Sequence, residues 1–297
     1  MHNLAIALKL NGNEITGSDD EIVEPSKSRL KQYDLLPAKE GWFPDELSSD
    51  VDAVILGMHA RADNPELLRA QQMGLKIFSY PEFLYFHSQH KKRIVIGGSH
   101  GKTTITAMIM HVLKELGYDF DYLVGSKLKN FDVMVRLSEN APIMIFEGDE
   151  YLSSPIDRRP KFHWYRPHIA LLSGIAWDHM NVFPTFDMYL EQFGIFINLM
   201  EKSGTLIYFN DDVYLKSIAA SRRKDITAVA YTEHDSTIKE ERLFLKTGKA
   251  EIPLKIFGSH NLMNIEGAKL VCRELELKMI NFTAASPLLT EQPTGWS

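Results

Sequence analysis

The sequence predicts an α/β fold with a parallel sheet, and three observations carry that expectation. Short apolar runs alternate with stretches of helical spacing along most of the chain. A glycine-rich turn, Gly97-Gly98-Ser99-His100-Gly101, joins one such run to one such stretch. Acidic and polar residues cluster just after several apolar runs, where a parallel sheet presents groups to a ligand. The chain has 297 residues, 44% apolar and 24% charged, which suits two ordinary globular domains. One cysteine, Cys272, excludes an internal disulfide and a Cys-rich zinc centre. No apolar run approaches the roughly 18 residues a membrane helix needs. The opening Met-His-Asn-Leu-Ala lacks the basic and apolar regions of a secretory signal. A net charge of -6 argues against nucleic acid as a partner. A cytoplasmic protein without a membrane partner is expected.

Taken in order, His2 to Leu10 has the spacing of a short helix, with Leu4, Ala5, Ala7 and Leu8 on one face and Gly12 as its stop. Glu14-Ile15-Thr16 is expected to be a short strand, so the chain opens inside a βαβ unit whose first strand is missing. Val51 to Gly57 predicts a buried strand, Pro65 to Met73 a helix and Leu75 to Phe78 another strand. The domain boundary is placed in Ser88-Gln89-His90-Lys91-Lys92. Ile94 to Ile96 is then a strand, followed by the glycine-rich turn and a helix that stops at Gly117. Further strands are expected at Ile143–Glu147, Ile169–Leu172, Leu206–Phe209 and Ile226–Tyr231. Leu243–Leu245 and Ile252–Ile256 flank a hairpin at Lys246-Thr247-Gly248-Lys249, and His260 to Leu275 predicts a helix.

Four blocks carry chemistry. In Gly97-Gly98-Ser99-His100-Gly101-Lys102-Thr103-Thr104 a strand leads through a tight turn into a helix, so backbone N–H groups and the helix N-terminus converge on phosphate oxygens. Lys102 would reach the terminal phosphates and the Thr103 hydroxyl a Mg²⁺ ion; Ile96 stands where the strict pattern has glycine. Glu147, at the end of an apolar strand in Phe146-Glu147-Gly148-Asp149-Glu150-Tyr151, offers a carboxylate oxygen of the kind Mg²⁺ prefers. In Asp178-His179 the acid would hold the imidazole and leave one ring nitrogen for a metal or a phosphate. In Gly258-Ser259-His260-Asn261-Leu262-Met263-Asn264, Ser259 is a plain helix N-cap, and His260 and Asn261 are placed to meet a nucleotide base. A competing reading joins Ser99-x-x-Lys102, Ser138-x-Asn140 and Lys246-Thr247-Gly248 into the motif set of penicillin-binding serine acyltransferases. The hairpin-tip setting of Lys246-Thr247-Gly248 and the polar loop around Ser138 count against it.

These four blocks, in this order, resemble the Mur ligase family of ATP-dependent, amide-forming enzymes of peptidoglycan synthesis. The resemblance implies a truncated Rossmann-like UDP-sugar-binding domain (residues 1–90, first strand missing) followed by a P-loop ATPase central domain (91–280). It implies that the third ligase domain is absent and that 281–297 form a disordered tail. ATP and Mg²⁺ are the implied cofactors. Gly98, Ser99, His100, Gly101, Lys102, Thr103 and Thr104 would cradle the phosphates, and His260, Asn261 and Asn264 would meet the nucleotide. Thr103, Glu147 and His179 match the metal-binding positions, and Lys102, Asp178 and His179 the catalytic ones. Gly17-Ser18-Asp19 and Ala62-Asp63-Asn64-Pro65-Glu66 are similar to the family's UDP-sugar contacts, which assigns Ser18, Asp19 and Asn64 to substrate. Asp149-Glu150-Tyr151 and the block from Asp157 to Pro167 are most similar to one branch, which recycles peptidoglycan. That branch joins UDP-N-acetylmuramate to the cell-wall peptide L-alanyl-γ-D-glutamyl-meso-diaminopimelate. Arg158, Arg159 and Arg166 become candidate anion contacts for these substrates. The alternatives are the branch that adds L-alanine to UDP-N-acetylmuramate, or a non-catalytic nucleotide-binding fragment. Gly174 and Ala176 stand where the family carries asparagine and an acidic residue.

Overall fold

The computed structural model describes residues 1–240, 242–247, 250–254 and 258–277. Helix α1 (His2–Leu10) forms where the apolar spacing predicts it and buries Leu4, Ile6, Ala7 and Leu8. Gly12 follows at φ +85°, and its N–H bonds the Lys9 carbonyl, which closes the helix end. The strand expected at Glu14–Thr16 is not formed. Residues 13–18 join no ladder because no described strand lies beside them; Asp19 makes a single bridge to Gly41. Helix α2 (Ser26–Gln32) comes next, and β1 (Val54–Leu56) and, after α3 (Pro65–Gln72), β2 (Ile77–Ser79) pair in parallel. Pro65 opens α3, while the Asn64 Oδ1 accepts the N–H groups of Glu66 and Leu67 at 2.9 and 3.0 Å.

Helix α4 (Tyr80–His87) leads into the expected boundary segment, which is fastened down. Lys91 is buried and its Nζ meets Asp121 at 2.6 Å. The buried Arg93 donates to the carbonyls of Ser88, Gln89 and Tyr165 at 2.9–3.0 Å and pairs with Glu201 at 2.5 Å.

The second unit is built on β3 (Lys92–Gly97), α5 (Lys102–Glu115), β4 (Phe120–Leu123), β5 (Val135–Arg136), β6 (Ile143–Glu147), α6 (Lys161–Trp164), β7 (Ile169–Leu172), α7 (Phe186–Asn198), β8 (Thr205–Phe209), α8 (Val213–Ala220) and β9 (Thr227–Tyr231). The strands form one seven-stranded sheet in the order β5-β4-β6-β3-β7-β8-β9, parallel except for β5. Alternate side chains of β3 feed opposite faces: Ile94 and Ile96 pack with α5, and Val95 with the aromatic side chains of α6 and α7. A three-stranded antiparallel sheet, β10 (Ser236–Lys239), β11 (Arg242–Thr247) and β12 (Ala250–Leu254), follows. The turn residues Gly248 and Lys249 of the expected hairpin, and the tail expected at 281–297, lie outside the described residues. Helix α9 (Ser259–Glu274) packs beside α5 in the same core.

The chain enters this sheet at β3, runs to one side, returns at β6 and then crosses β3 to reach β7. The carboxyl ends of β6, β3 and β7 therefore stand side by side, the arrangement that opens a ligand crevice in α/β sheets. Among the described residues no helix is long and apolar enough to cross a membrane.

Candidate active site

The turn after β3 needs its glycines. Gly98 has φ +107°, and a Cβ there would come within 2.8 Å of the Ser173 amide nitrogen. Gly101, at φ +71°, is the N-cap of α5, and a Cβ there would overlap the Asn264 side chain. The loops after β3 and β7 are stitched together. Ser99 N–H donates to the Gly174 carbonyl at 2.9 Å, and the Ala176 N–H donates to Ser99 Oγ at 2.5 Å. The Ser173 hydroxyl donates to the His100 carbonyl. Ser99 Oγ donates in turn to the Ala176 carbonyl at 3.1 Å, whereas Lys102 faces elsewhere. The Ser138 hydroxyl is held by Asp121 at 2.8 Å. The acyltransferase reading fails on these contacts, because among the described residues Ser99 Oγ is bonded to the backbone of Ala176 and Lys102 Nζ to the Gly98 carbonyl.

Lys102 Nζ donates to the Gly98 carbonyl at 2.7 Å and lies 3.6 Å from Glu150 Oε2. The Thr103 hydroxyl donates to Glu147 Oε1 at 2.7 Å, and Gly125 N–H reaches Glu147 Oε2 at 3.0 Å. A hydroxyl and a carboxylate in contact at the head of a phosphate-type loop offer the oxygen donors a hard dication takes, so the residues fit ATP with Mg²⁺. Thr104 is buried on the same turn, and its hydroxyl has no partner among the described residues.

Asp149, Glu150 and His179 bring carboxylate oxygens and a ring nitrogen within 4.8 Å of one another. Burial would raise the Asp149 carboxyl, but Lys161 at 2.5 Å, with the Tyr151 N–H and His179, more than reverses this and holds it below its ordinary range. Glu150 is 2% exposed, and burial pushes its carboxyl up against the opposing pull of Lys102. Asp178 Oδ1 accepts the backbone N–H of His179 at 2.6 Å, but the ring stands 3.9 Å from the carboxylate. Tyr151 packs edge-on against that imidazole, with ring centroids 5.0 Å apart. His179 has φ +54°, a strained backbone for a residue with a side chain.

At the start of α9, Gly258 is the N-cap and Ser259 the first helical residue, so Ser259 is not the expected cap. His260 is exposed, Asn261 is half-buried, and Asn264 is buried against Gly101. In the first unit the Ser18 hydroxyl bonds Glu66, the Asp19 carbonyl accepts Gly41 N–H at 2.7 Å, and Asn64 caps α3. Arg159 forks onto Asp157 at 2.9 and 3.1 Å and stacks over Trp164 at 4.0 Å. Arg158 is exposed, and Arg166, at φ +39°, lies over Tyr85 at 5.2 Å. Glu150, Lys161 and Gly125 also stand in this site; in the sequence only the run of acids after β6 points toward the first of them.

Residues 96–272 match the Mur ligase middle domain. The chain belongs to the Mur ligase family. This Mur ligase chain is 26% identical over 302 residues to UDP-N-acetylmuramate–L-alanine ligase of Carboxydothermus hydrogenoformans, covering 98% of the chain and 62% of that protein. It is 30% identical over 210 residues to UDP-N-acetylmuramate–L-alanyl-γ-D-glutamyl-meso-2,6-diaminoheptandioate ligase of Haemophilus influenzae, covering 70% of the chain and 46% of that protein. The chain thus spans between about half and just under two thirds of the curated relatives it matches. In fold it is similar to the crystal structure of UDP-N-acetylmuramate:L-alanyl-γ-D-glutamyl-meso-diaminopimelate ligase from Neisseria meningitidis, with a TM-score of 0.85, 23% identity, and 98% of this chain and 95% of that one covered.

Proposed function

We propose that the chain is the nucleotide-binding and UDP-sugar-binding part of a cytoplasmic peptidoglycan ligase. Its reaction would join UDP-N-acetylmuramate to L-alanyl-γ-D-glutamyl-meso-diaminopimelate. The observation that supports this most is the contact of the Thr103 hydroxyl with Glu147 at 2.7 Å, one residue from Lys102 at the mouth of the glycine-rich turn. The γ-phosphoryl group of ATP passes to a muramate carboxylate oxygen and ADP leaves. The peptide amine then attacks the acyl phosphate, and phosphate and one proton depart from the tetrahedral adduct. Phosphoryl transfer asks for positioning and charge neutralisation more than covalent help. Lys102 and the N–H groups of residues 98–104 would face the phosphates, and His260, Asn261 and Asn264 the nucleoside. Mg²⁺, held by Thr103 and Glu147, would neutralise charge on the phosphates when bound. His179 would face the acyl phosphate or a second Mg²⁺, with Asp178 fixing its backbone. Ser18, Asp19 and Asn64 would meet the UDP-sugar, and Arg158, Arg159 and Arg166 the anionic groups of the substrates.

Two other readings have support. The relative matched along 98% of the chain is named for adding L-alanine, which favours that amino acid as the amine. The third reading is a nucleotide-binding unit without ligase turnover; the chain covers 62% and 46% of those two relatives. Calorimetry with ATP and Mg²⁺ tests the shared core: Lys102→Ala is expected to weaken ATP at least about 100-fold, and unchanged affinity refutes the loop assignment. Mass spectrometry of mixtures of ATP and UDP-N-acetylmuramate with either the tripeptide or L-alanine separates the three readings.

A further inference from the structure

Glu150 sits on the loop after β6 with 2% of its surface exposed, and one oxygen stands 3.6 Å from Lys102 Nζ. Its other oxygen, Oε1, is buried without a partner among the described residues. Lys102 is its one ion-pair partner among those residues, and the Gly98 N–H also favours the charged form of this carboxylate. Burial and the nearby Asp149 oppose this charge, while the Lys102 ammonium and the N–H groups of Glu150 and Gly98 favour it, so the carboxylate depends on its lysine. Among the described residues the lysine's other polar contact is the uncharged Gly98 carbonyl. A phosphate arriving at this turn calls on the same ammonium that the carboxylate already occupies. Thr103 and Glu147 form a separate contact, so the competition is confined to the lysine side of the turn.

We propose that Glu150 is a positioning residue that acts through Lys102, an internal anion that competes with nucleotide phosphate and so lowers the affinity of the site for ATP. This rests on the nucleotide-binding reading above. The carboxylate keeps the lysine paired while the turn is empty, and it favours release of the spent nucleotide. AMP has no β- or γ-phosphate to meet Lys102, so it escapes the competition.

The test measures ATP, ADP and AMP affinities of the full chain by displacement of a fluorescent ATP analogue, in the wild type, Glu150→Gln and Glu150→Met. The apolar variant covers the case in which the glutamine variant fails to fold, because its volume is close to that of glutamate and it carries no unpaired polar group. Both variants are expected to bind ATP and ADP about 5-fold more tightly or better, with AMP unchanged within about 1.5-fold and the melting temperature no lower than in the wild type. Unchanged or weaker ATP binding overturns the proposal. An equal gain for AMP also overturns it, since that change would not pass through Lys102. Failure of the wild type to bind ATP at all sinks the underlying reading and this proposal together, and that result is visible before any variant is compared.

Discussion

Asn264, in the second turn of α9, lies directly against Gly101, the N-cap of α5, so that no side chain fits between them. The segment Gly258–Asn264 that opens α9 and the glycine-rich turn after β3 are thereby one surface. Gly101→Ala is expected to destabilise the fold by about 1–3 kcal/mol, because it adds left-handed strain at φ +71° to a clash with Asn264. Chemical denaturation reads the loss. Pairing it with Asn264→Ala should recover only the part due to the clash, and full recovery would refute the strain argument.

Glu147→Gln is expected to remove most of the Mg²⁺ dependence of ATP binding. It replaces one charged oxygen by an amide while leaving a partner for Thr103. Calorimetry with and without EDTA shows it: the wild type should lose affinity on chelation, and the variant should change by less than about 2-fold. A variant that keeps the wild-type difference would place the metal elsewhere.

Lys91 and Asp121 form an ion pair with both side chains fully buried, and Asp121 also holds the Ser138 hydroxyl and N–H. Removing one partner leaves a buried charge without compensation. Asp121→Ala is expected to cost about 3–5 kcal/mol of stability while leaving ATP affinity in the surviving folded protein unchanged. A loss below about 1 kcal/mol on denaturation would show that the pair is dispensable.

His163 is buried on α6, bonds the Gln192 carbonyl at 2.8 Å, and is lowered by burial from 6.5 to about 4. The folded state therefore binds this proton less readily than the unfolded chain does. The stability that the neutral ring permits is complete above pH 6.5 and is lost as pH falls toward about 4. The loss is on the order of 2 kcal/mol at pH 5, by linkage. His163→Gln should flatten the acid limb of a stability-against-pH curve across that window, and an unchanged limb would assign acid sensitivity to other groups.

Strands β6 and β7 coincide with the apolar runs Ile143–Glu147 and Ile169–Leu172, because fully buried strands in a parallel sheet are apolar on both faces. Strand β4 escaped notice for a physical reason. Asp121 interrupts it, and the buried Lys91 together with the Ser138 hydroxyl and N–H makes that charge tolerable inside a sheet. Helix α7 is crowded with aromatic residues of modest helix propensity, and its stability comes from burying Tyr189, Phe193 and Phe196 in the core. Glu14–Thr16 shows the converse: its short pattern resembles a strand, yet it joins no ladder among the described residues. Spacing alone placed Lys102 and Thr103 on the turn. It could not group Asp149, Glu150 and His179, which come from two strand ends separated in the sheet by β3.

The hydrogen bonds that tie Ser99 to Gly174 and Ala176, and Ser173 to His100, have a mechanical consequence. The glycine-rich turn after β3 and the segment 173–176, just ahead of Asp178 and His179, are thereby fastened together, so displacement of either is felt by the other.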